Sequence, residues 1–199
     1  MRCAAVVLAA GESRRMGRNK LLLKVGGRPM LDLLLAVLDA SIVTEVFVVL
    51  GHRPKELKHL VEAHRAEAVI NSIYKDGMFS SVKTGLERVS VDAAFFILGD
   101  QIGIRAELLE RMAKAMELDD DVLIVSPVHE GKRGHPILIR SSLFPEMLRL
   151  DRHETLRDLV MRHERAHRLV EGDEWCVTDI DTPEDYERAK NRLLASRVS

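Results

Sequence analysis

The sequence predicts an α/β fold, a single-domain three-layer sandwich around a mostly parallel sheet, and three observations carry that expectation. Short apolar runs alternate with amphipathic stretches of helical length along almost the whole chain. The runs are continuously apolar rather than alternating, as in strands covered on both faces. With 46% hydrophobic and 31% charged residues among 199, the chain can build one core, and no Pro/Gly/Ser-rich linker or repeat divides it.

Taken in order, Ala4 to Ala9 reads as the first strand and Pro29 to Ala40 as a helix, with proline tolerated in its first turn. Val46 to Leu50 is a second strand closed by Gly51, Pro54 to Arg65 a helix, and Ala68 to Asn71 a short strand. Ser80 to Val89 is helical and leads to the most apolar strand, Ala93 to Leu98. Residues 105–117 read as helix, Val122 to Pro127 and Pro136 to Arg140 as strands, and 142–149 and 154–165 as helices. Trp175 to Ile180 is expected to be extended and to feed a helix beginning at Pro183. In such sheets ligands gather beyond the carboxyl ends of the strands.

Composition removes several function classes. Only 4% of residues are aromatic, which leaves little to stack on nucleic-acid bases, and 30 basic against 31 acidic residues exclude a general polyanion binder. Cys3 and Cys176 form no CxxC pair, so neither a disulfide scaffold nor a zinc ribbon is supported, and a reducing cytoplasm is the expected compartment. The run from Cys3 to Ala10 is too short for a membrane span. Arg14, Arg15, Arg18 and Lys20 behind it oppose export, so it reads as a buried strand and no membrane partner is expected.

The first strand ends in Leu8-Ala-Ala-Gly-Glu-Ser-Arg-Arg-Met-Gly-Arg-Asn-Lys20. Gly11 and Gly17 permit tight turns whose N–H groups could cradle phosphate. Arg14, Arg15, Arg18, Lys20 and Lys24 lie close together with no acid between them, which suggests an anionic ligand in a chain of net charge -1. Neither the P-loop nor the dinucleotide fingerprint fits, because Gly17 is followed by Arg-Asn-Lys and stands six residues from Gly11.

Carboxylates mark two other strand ends. Asp100 follows the Ala93 to Leu98 run and Gly99, where partial burial calls for a counter-charge or a metal. In Asp179-Ile-Asp181 an extended backbone would turn both acids to one face. Thr182, Pro183 and Asp185 then start a helix as N-cap, first residue and capping-box partner. Asp100 and Asp181 are the expected Mg²⁺ ligands, since Mg²⁺ takes one or two carboxylates plus substrate phosphates. Asp119 to Asp121 reads as a solvated turn. His163-Glu-Arg-Ala-His167 matches the zinc-protease pattern literally, but Arg168 to Val170 reads as a strand, so the helix should end inside the motif.

Together, Leu8-Ala-Ala-Gly-x-Ser-x-Arg-Met-Gly-x-x-Lys20, Gly99-Asp-Gln101, Gly134-His-Pro136 and Asp179-Ile-Asp-Thr-Pro-Glu-Asp185 resemble the molybdenum cofactor nucleotidyltransferases of the MobA-like NTP transferase family. The likeness spans residues 3–194 in the family's order and is nearest to the cytidylyltransferase branch. It implies one Rossmann-like domain over residues 1–199, of the nucleotide-diphospho-sugar transferase type. It also implies Mg²⁺-dependent transfer of CMP from CTP to the phosphate of molybdopterin, with pyrophosphate released. By the same resemblance Leu8, Ala9, Ala10 and Gly11 contact the nucleotide, and Arg15 and Lys20 bind its triphosphate. Asp100 and Asp181 hold Mg²⁺. Gly77, Met78 and Ser81 belong to the segment that reads the base, and Gly134, His135 and Pro136 lie on the pterin side. His135 reads equally well as an ordinary loop histidine. A molybdoenzyme or its chaperone is the implied protein partner.

The family's proline after Gly-Asp-Gln is replaced by Ile102, which bears on the acceptor more than on the nucleotide. Guanylyl-transferring relatives tend to carry Ala-Gly-Gly where this chain has Ala9-Ala10-Gly11, and a Gly-Pro-Leu-Ala-Gly pattern that the Gly77 to Gly85 segment lacks. The remaining alternatives are guanylyl transfer, a sugar- or polyol-phosphate cytidylyltransferase, and a nucleotide-binding regulator without turnover.

Overall fold

In the computed structural model, which describes residues 1–151 and 153–196, the first apolar run forms β1 (Cys3–Ala9). Lys24–Val25 (β2) and Arg28–Pro29 (β3) make a small hairpin. Its Gly26 and Gly27 both have positive φ, the backbone of a two-residue turn between twisted strands. There follow α1 (Met30–Asp39), β4 (Glu45–Leu50), α2 (Pro54–Glu62), β5 (Glu67–Ile70), α3 (Met78–Leu86) and β6 (Ala93–Leu98). The second half adds α4 (Ala106–Glu117), β7 (Ile124–His129), β8 (Lys132–Arg133) and β9 (Ile137–Arg140). It closes with α5 (Phe144–Arg149), α6 (Leu156–Arg162), β10 (His167–Glu171) and α7 (Pro183–Ala195).

The sheet runs in the order β10-β7-β9-β6-β1-β4-β5, with β8 paired to β7. β1 pairs in parallel with both β4 and β6, so Leu8 stands beside Val49 on one side and Leu98 on the other. That register aligns the carboxyl ends of the three central strands. β9 is antiparallel to both β6 and β7, which makes the sheet mixed though mostly parallel.

Alternation along β1 divides the interior. Ala5 and Val7 pack with α1, α2 and α4, while Val6 packs with Phe79 and Val82 of α3 and with Met147 and Leu159 beyond. Two helical layers thus cover one sheet, the expected three-layer sandwich. A third cluster joins Val25 and Met30 to Ile102, Trp175 and the inner face of α7. Ile102, in place of the family's proline, is buried there, so this residue is part of the packing behind the site.

The expected extended stretch Trp175 to Ile180 is not a strand. Residues Glu174–Val177 form a 3-10 turn whose N-cap Asp173 accepts the Trp175 N–H at 3.1 Å. The sheet's last strand is β10, earlier in the chain. Among the described residues no helix is long and apolar enough to cross a membrane.

α3 lies so close to the sheet that a Cβ on Gly85 would stand 2.3 Å from Cγ1 of Val6 and 2.9 Å from Cγ2 of Val49. Alanine would gain about 1 kcal/mol of helix propensity. Overpacking two stiff β-branched core residues costs about 1–3 kcal/mol. Gly85→Ala is therefore expected to lower the thermal midpoint by several degrees, and a raised midpoint would contradict the packing.

Candidate active site

Of the two glycines expected to turn the segment after β1, Gly17 does so and Gly11 does not. The left-handed residues are Ser13 (φ 51) and Gly17 (φ 66), on either side of a 3-10 turn at Arg14–Met16, whereas Gly11 has no positive φ. The Ser13 hydroxyl accepts the Lys20 N–H at 3.2 Å, and Asn19 caps the next turn by accepting the Leu21 N–H at 3.1 Å. These bonds bring Lys20 back over the strand ends. Gly11 has another role, since a Cβ there would meet nothing within 4 Å. Its hydrogen faces open space in the cleft. Gly11→Ala is therefore expected to leave the thermal midpoint unchanged while weakening nucleotide binding, measured by titration calorimetry; unaltered affinity would place the nucleotide elsewhere.

Asp100 is delivered by β6, whose end is fixed by Gly99 N–H donating to Leu8 O at 3.0 Å. Gln101 braces the next turn: its Oε1 accepts the Leu98 N–H and its Nε2 donates to His135 O, each at 3.2 Å. Asp181 is delivered by the cap of α7. Thr182 and Asp185 form the expected capping box, and the Asp185 carboxylate also accepts the Asp181 N–H at 3.2 Å. Hydrogen bonds from Thr182 hold the Asp185 carboxyl below the usual range, as suits an acid committed to a helix N-terminus.

These elements meet at one ammonium. Lys20 Nζ donates to Asp100 Oδ2 at 2.5 Å, to Ile180 O at 2.9 Å and to Asp181 Oδ1 at 3.3 Å. Its three protons are all engaged. The Arg15 guanidinium lies 2.8 Å from Asp181 Oδ2. Ile180 is buried while Asp179 and Asp181 line the cleft, the alternation expected of an extended triplet.

The cleft has a volume of about 710 Å³. Leu8, Ala9, Ala10, Gly11, Arg15, Lys20, Gly77, Met78, Ser81, Asp100 and Asp181 all line it, so every residue expected at the nucleotide and the metal is brought together. Gly134, His135 and Pro136 do not line it. Gly134 packs on the Cys176 carbonyl, and His135 N–H donates to that oxygen at 2.8 Å. Burial pushes the His135 imidazole towards its neutral form, against the pull of the Asp179 and Asp100 carboxylates. Lys24 also stands outside, on β2. Tyr74 and Lys75 also line the cleft, beside Gly77 and Met78, and have no particular signal in the sequence.

The HExxH motif is dispersed. α6 stops at Arg162, and His163 faces Glu146 at 2.8 Å. Glu164 pairs with Arg133, and His167 begins β10 beside the Ser126 hydroxyl at 3.0 Å. The helix does end at the motif, as expected, and the two imidazoles serve separate contacts. Asp119 accepts Arg168 at 2.7 Å in the turn between α4 and β7.

Cations and carboxylates paired with one another in a cleft at the ends of parallel strands suit an enzyme that handles a nucleoside triphosphate. Nucleotidyltransferases on Rossmann-like α/β sheets are that class, and this chain is one of them. It belongs to the MobA-like NTP transferase domain family, which matches residues 5–167. It is 28% identical over 190 residues to the molybdenum cofactor cytidylyltransferase of Escherichia coli strain K12, covering 94% of this chain and 95% of that protein. A probable molybdenum cofactor guanylyltransferase of Natranaerobius thermophilus is 26% identical over 202 residues, 96% of each chain. Among solved structures, a nucleotidyl transferase from Methanothermobacter thermautotrophicus superposes with a TM-score of 0.82 at 26% identity, over 98% of this chain and 99% of the other.

Proposed function

We propose that the enzyme transfers CMP from CTP to the phosphate of a molybdopterin-type acceptor and releases pyrophosphate. The observation that carries the chemistry is the Lys20 ammonium held between Asp100 and Asp181 at the mouth of the Leu8–Gly11 cleft. An acceptor phosphate oxygen attacks the α-phosphorus, the bond from that phosphorus to the bridging oxygen breaks, and pyrophosphate leaves in line. No covalent enzyme intermediate is required, because positioning and charge neutralisation meet the catalytic demand. Lys20 and Arg15 exchange carboxylate oxygens for phosphate oxygens when the triphosphate enters. They then stabilise the charge that builds on the leaving group.

The two carboxylates fit a divalent cation. Both reach one cationic nitrogen, which supports a single positive centre between them, and their oxygens are hard donors of the kind Mg²⁺ takes. Bound there, Mg²⁺ would supply Lewis-acid charge to the phosphates. The names of the relatives support the pterin acceptor, and they cover both cytidylyl and guanylyl transfer.

For the base, the supporting residue is Ala10. It is 7% exposed on the cleft wall, and its methyl stands against Gly51, close enough that a Cβ on that glycine would lie 2.8 Å away. A second glycine at position 10 would leave more room for a purine. The test is kcat/KM for CTP and GTP with molybdopterin as acceptor, in wild type and in Ala10→Gly. CTP is expected to be preferred, and the variant to narrow the preference, since a methyl-sized change in a pocket wall is worth roughly 10–200-fold. Wild-type preference for GTP would refute the assignment. So would turnover of CTP only with a sugar or polyol phosphate.

A further inference from the structure

A hydrogen-bond network centred on Asn71 lies behind the cleft wall formed by Gly77, Met78 and Ser81. Asn71 follows β5 and is 2% exposed. Its Oδ1 accepts the backbone N–H of Ile73 at 3.0 Å. A backbone N–H can only donate, so this bond fixes which end of the amide is oxygen. The Nδ2 end must then face α3, where it donates to Ser80 Oγ at 2.9 Å and to Ser81 Oγ at 3.0 Å.

The two serines differ in what is left to them. Ser80 spends its own proton on Gly77 O at 2.8 Å. Ser81 is buried and lines the cleft, and among the described residues no acceptor for its hydroxyl proton is found. A helical serine ordinarily turns that proton to the carbonyl four residues back. Here that carbonyl is Gly77 O, already taken by the Ser80 hydroxyl and by the Ser80 N–H at 3.1 Å. Asn71 occupies one of the two lone pairs on the Ser81 oxygen, and with no protein acceptor among the described residues the O–H is left for the cleft that Ser81 lines.

We infer that Asn71 is a positioning residue for base recognition, which makes the Ser81 hydroxyl a committed proton donor to an acceptor atom of the bound base. A cytosine ring offers N3 and O2 as adjacent acceptors. Guanine offers two donor groups on the corresponding edge beside its single O6. The inference rests on the cytidylyl reading for the identity of the base, though not for the direction of the hydrogen bond.

Steady-state kinetics of Ser81→Ala, Asn71→Asp and the double variant test it. Aspartate keeps the Ile73 bond but can only accept from Ser81, so the hydroxyl turns away from the cleft. Each single variant is expected to raise KM for CTP about tenfold, as for one lost hydrogen bond to a desolvated partner, with kcat within about twofold. Because Asn71 acts through Ser81, the double variant should be no worse than either single. Multiplied losses, or an unchanged KM in folded Asn71→Asp, would overturn the proposal. If Asn71→Asp loses its thermal transition, Ser81→Ala against Ser81→Thr decides: the alanine raises KM and the threonine restores it, whereas equal KM values in Ser81→Ala and wild type refute the donor. The cycle is run with whichever of CTP and GTP the wild type turns over. Preference for GTP then counts against the cytidylyl reading, and the coupling alone judges Asn71.

Discussion

Lys20→Ala is expected to lower kcat for pyrophosphate release by about 10²–10³, the usual loss of one preorganised donor aimed at charge developing in the transition state. Lys20 is suited to that role by how it is held. Its backbone is tied to Ser13, and its ammonium is directed by Asp100, Ile180 O and Asp181, so little reorganisation remains when phosphate oxygens replace those partners. Lys24 is the internal control. It belongs to the same basic stretch of sequence, but its side chain is exposed on β2 and its carbonyl is occupied by the Tyr186 hydroxyl at 2.6 Å. Lys24→Ala should therefore stay within about twofold of wild type, as surface changes away from a site generally do. Equal losses in the two variants would mean that the basic stretch acts as a diffuse field. A Lys20→Ala protein with a lower thermal midpoint but unchanged kcat would restrict the residue to neutralising the two acids.

The architecture was legible because its signals are local. The run Ala93–Leu98 is a strand with the expected bounds, and the Thr182, Pro183, Asp185 start of α7 is a pattern that side-chain chemistry dictates within four residues. Chemistry-bearing residues were legible for a related reason: a polar group directly after an apolar strand must face the end of the sheet. Asp100 carried that signal, and Asn71 carried the same one unread, as the polar end of the short Ala68–Asn71 run. The misses depend on contacts distant in sequence. Trp175 looks extended by residue type, but it folds into a turn because its ring packs on Gly103, where a Cβ would come within 1.9 Å of it. The Gly134-His-Pro136 triplet packs against Cys176 rather than lining the nucleotide cleft, a contact that its sequence does not announce. The Gly26-Gly27 hairpin was present as a turn signal that the apolar pattern around it overshadowed.

Asp100→Ala and Asp181→Ala should each abolish Mg²⁺-dependent pyrophosphate release while leaving the chain folded. Folding should survive because the ammonium keeps two of its three partners in either variant, and Arg15 remains to cover Asp181 when Asp100 is removed. The two acids are not equivalent. The Asp100 side chain is 11% exposed with Lys20 as its ion partner, whereas Asp181 is 38% exposed and shared between Lys20 and Arg15. Loss of activity alone would not separate a metal ligand from a residue that only steadies the two cations. A divalent-ion titration does. If Asp181 holds the ion, Asp181→Asn keeps the shape and an oxygen but loses the charge, and the Mg²⁺ concentration for half-maximal rate rises well above that of wild type. If it steadies Lys20 and Arg15 instead, the rate falls at every Mg²⁺ concentration and the half-maximal point stays where it was. Full activity in both alanine variants would remove the metal from these carboxylates. An unchanged half-maximal concentration in Asp181→Asn and likewise in Asp100→Asn would assign the two acids to the cations instead.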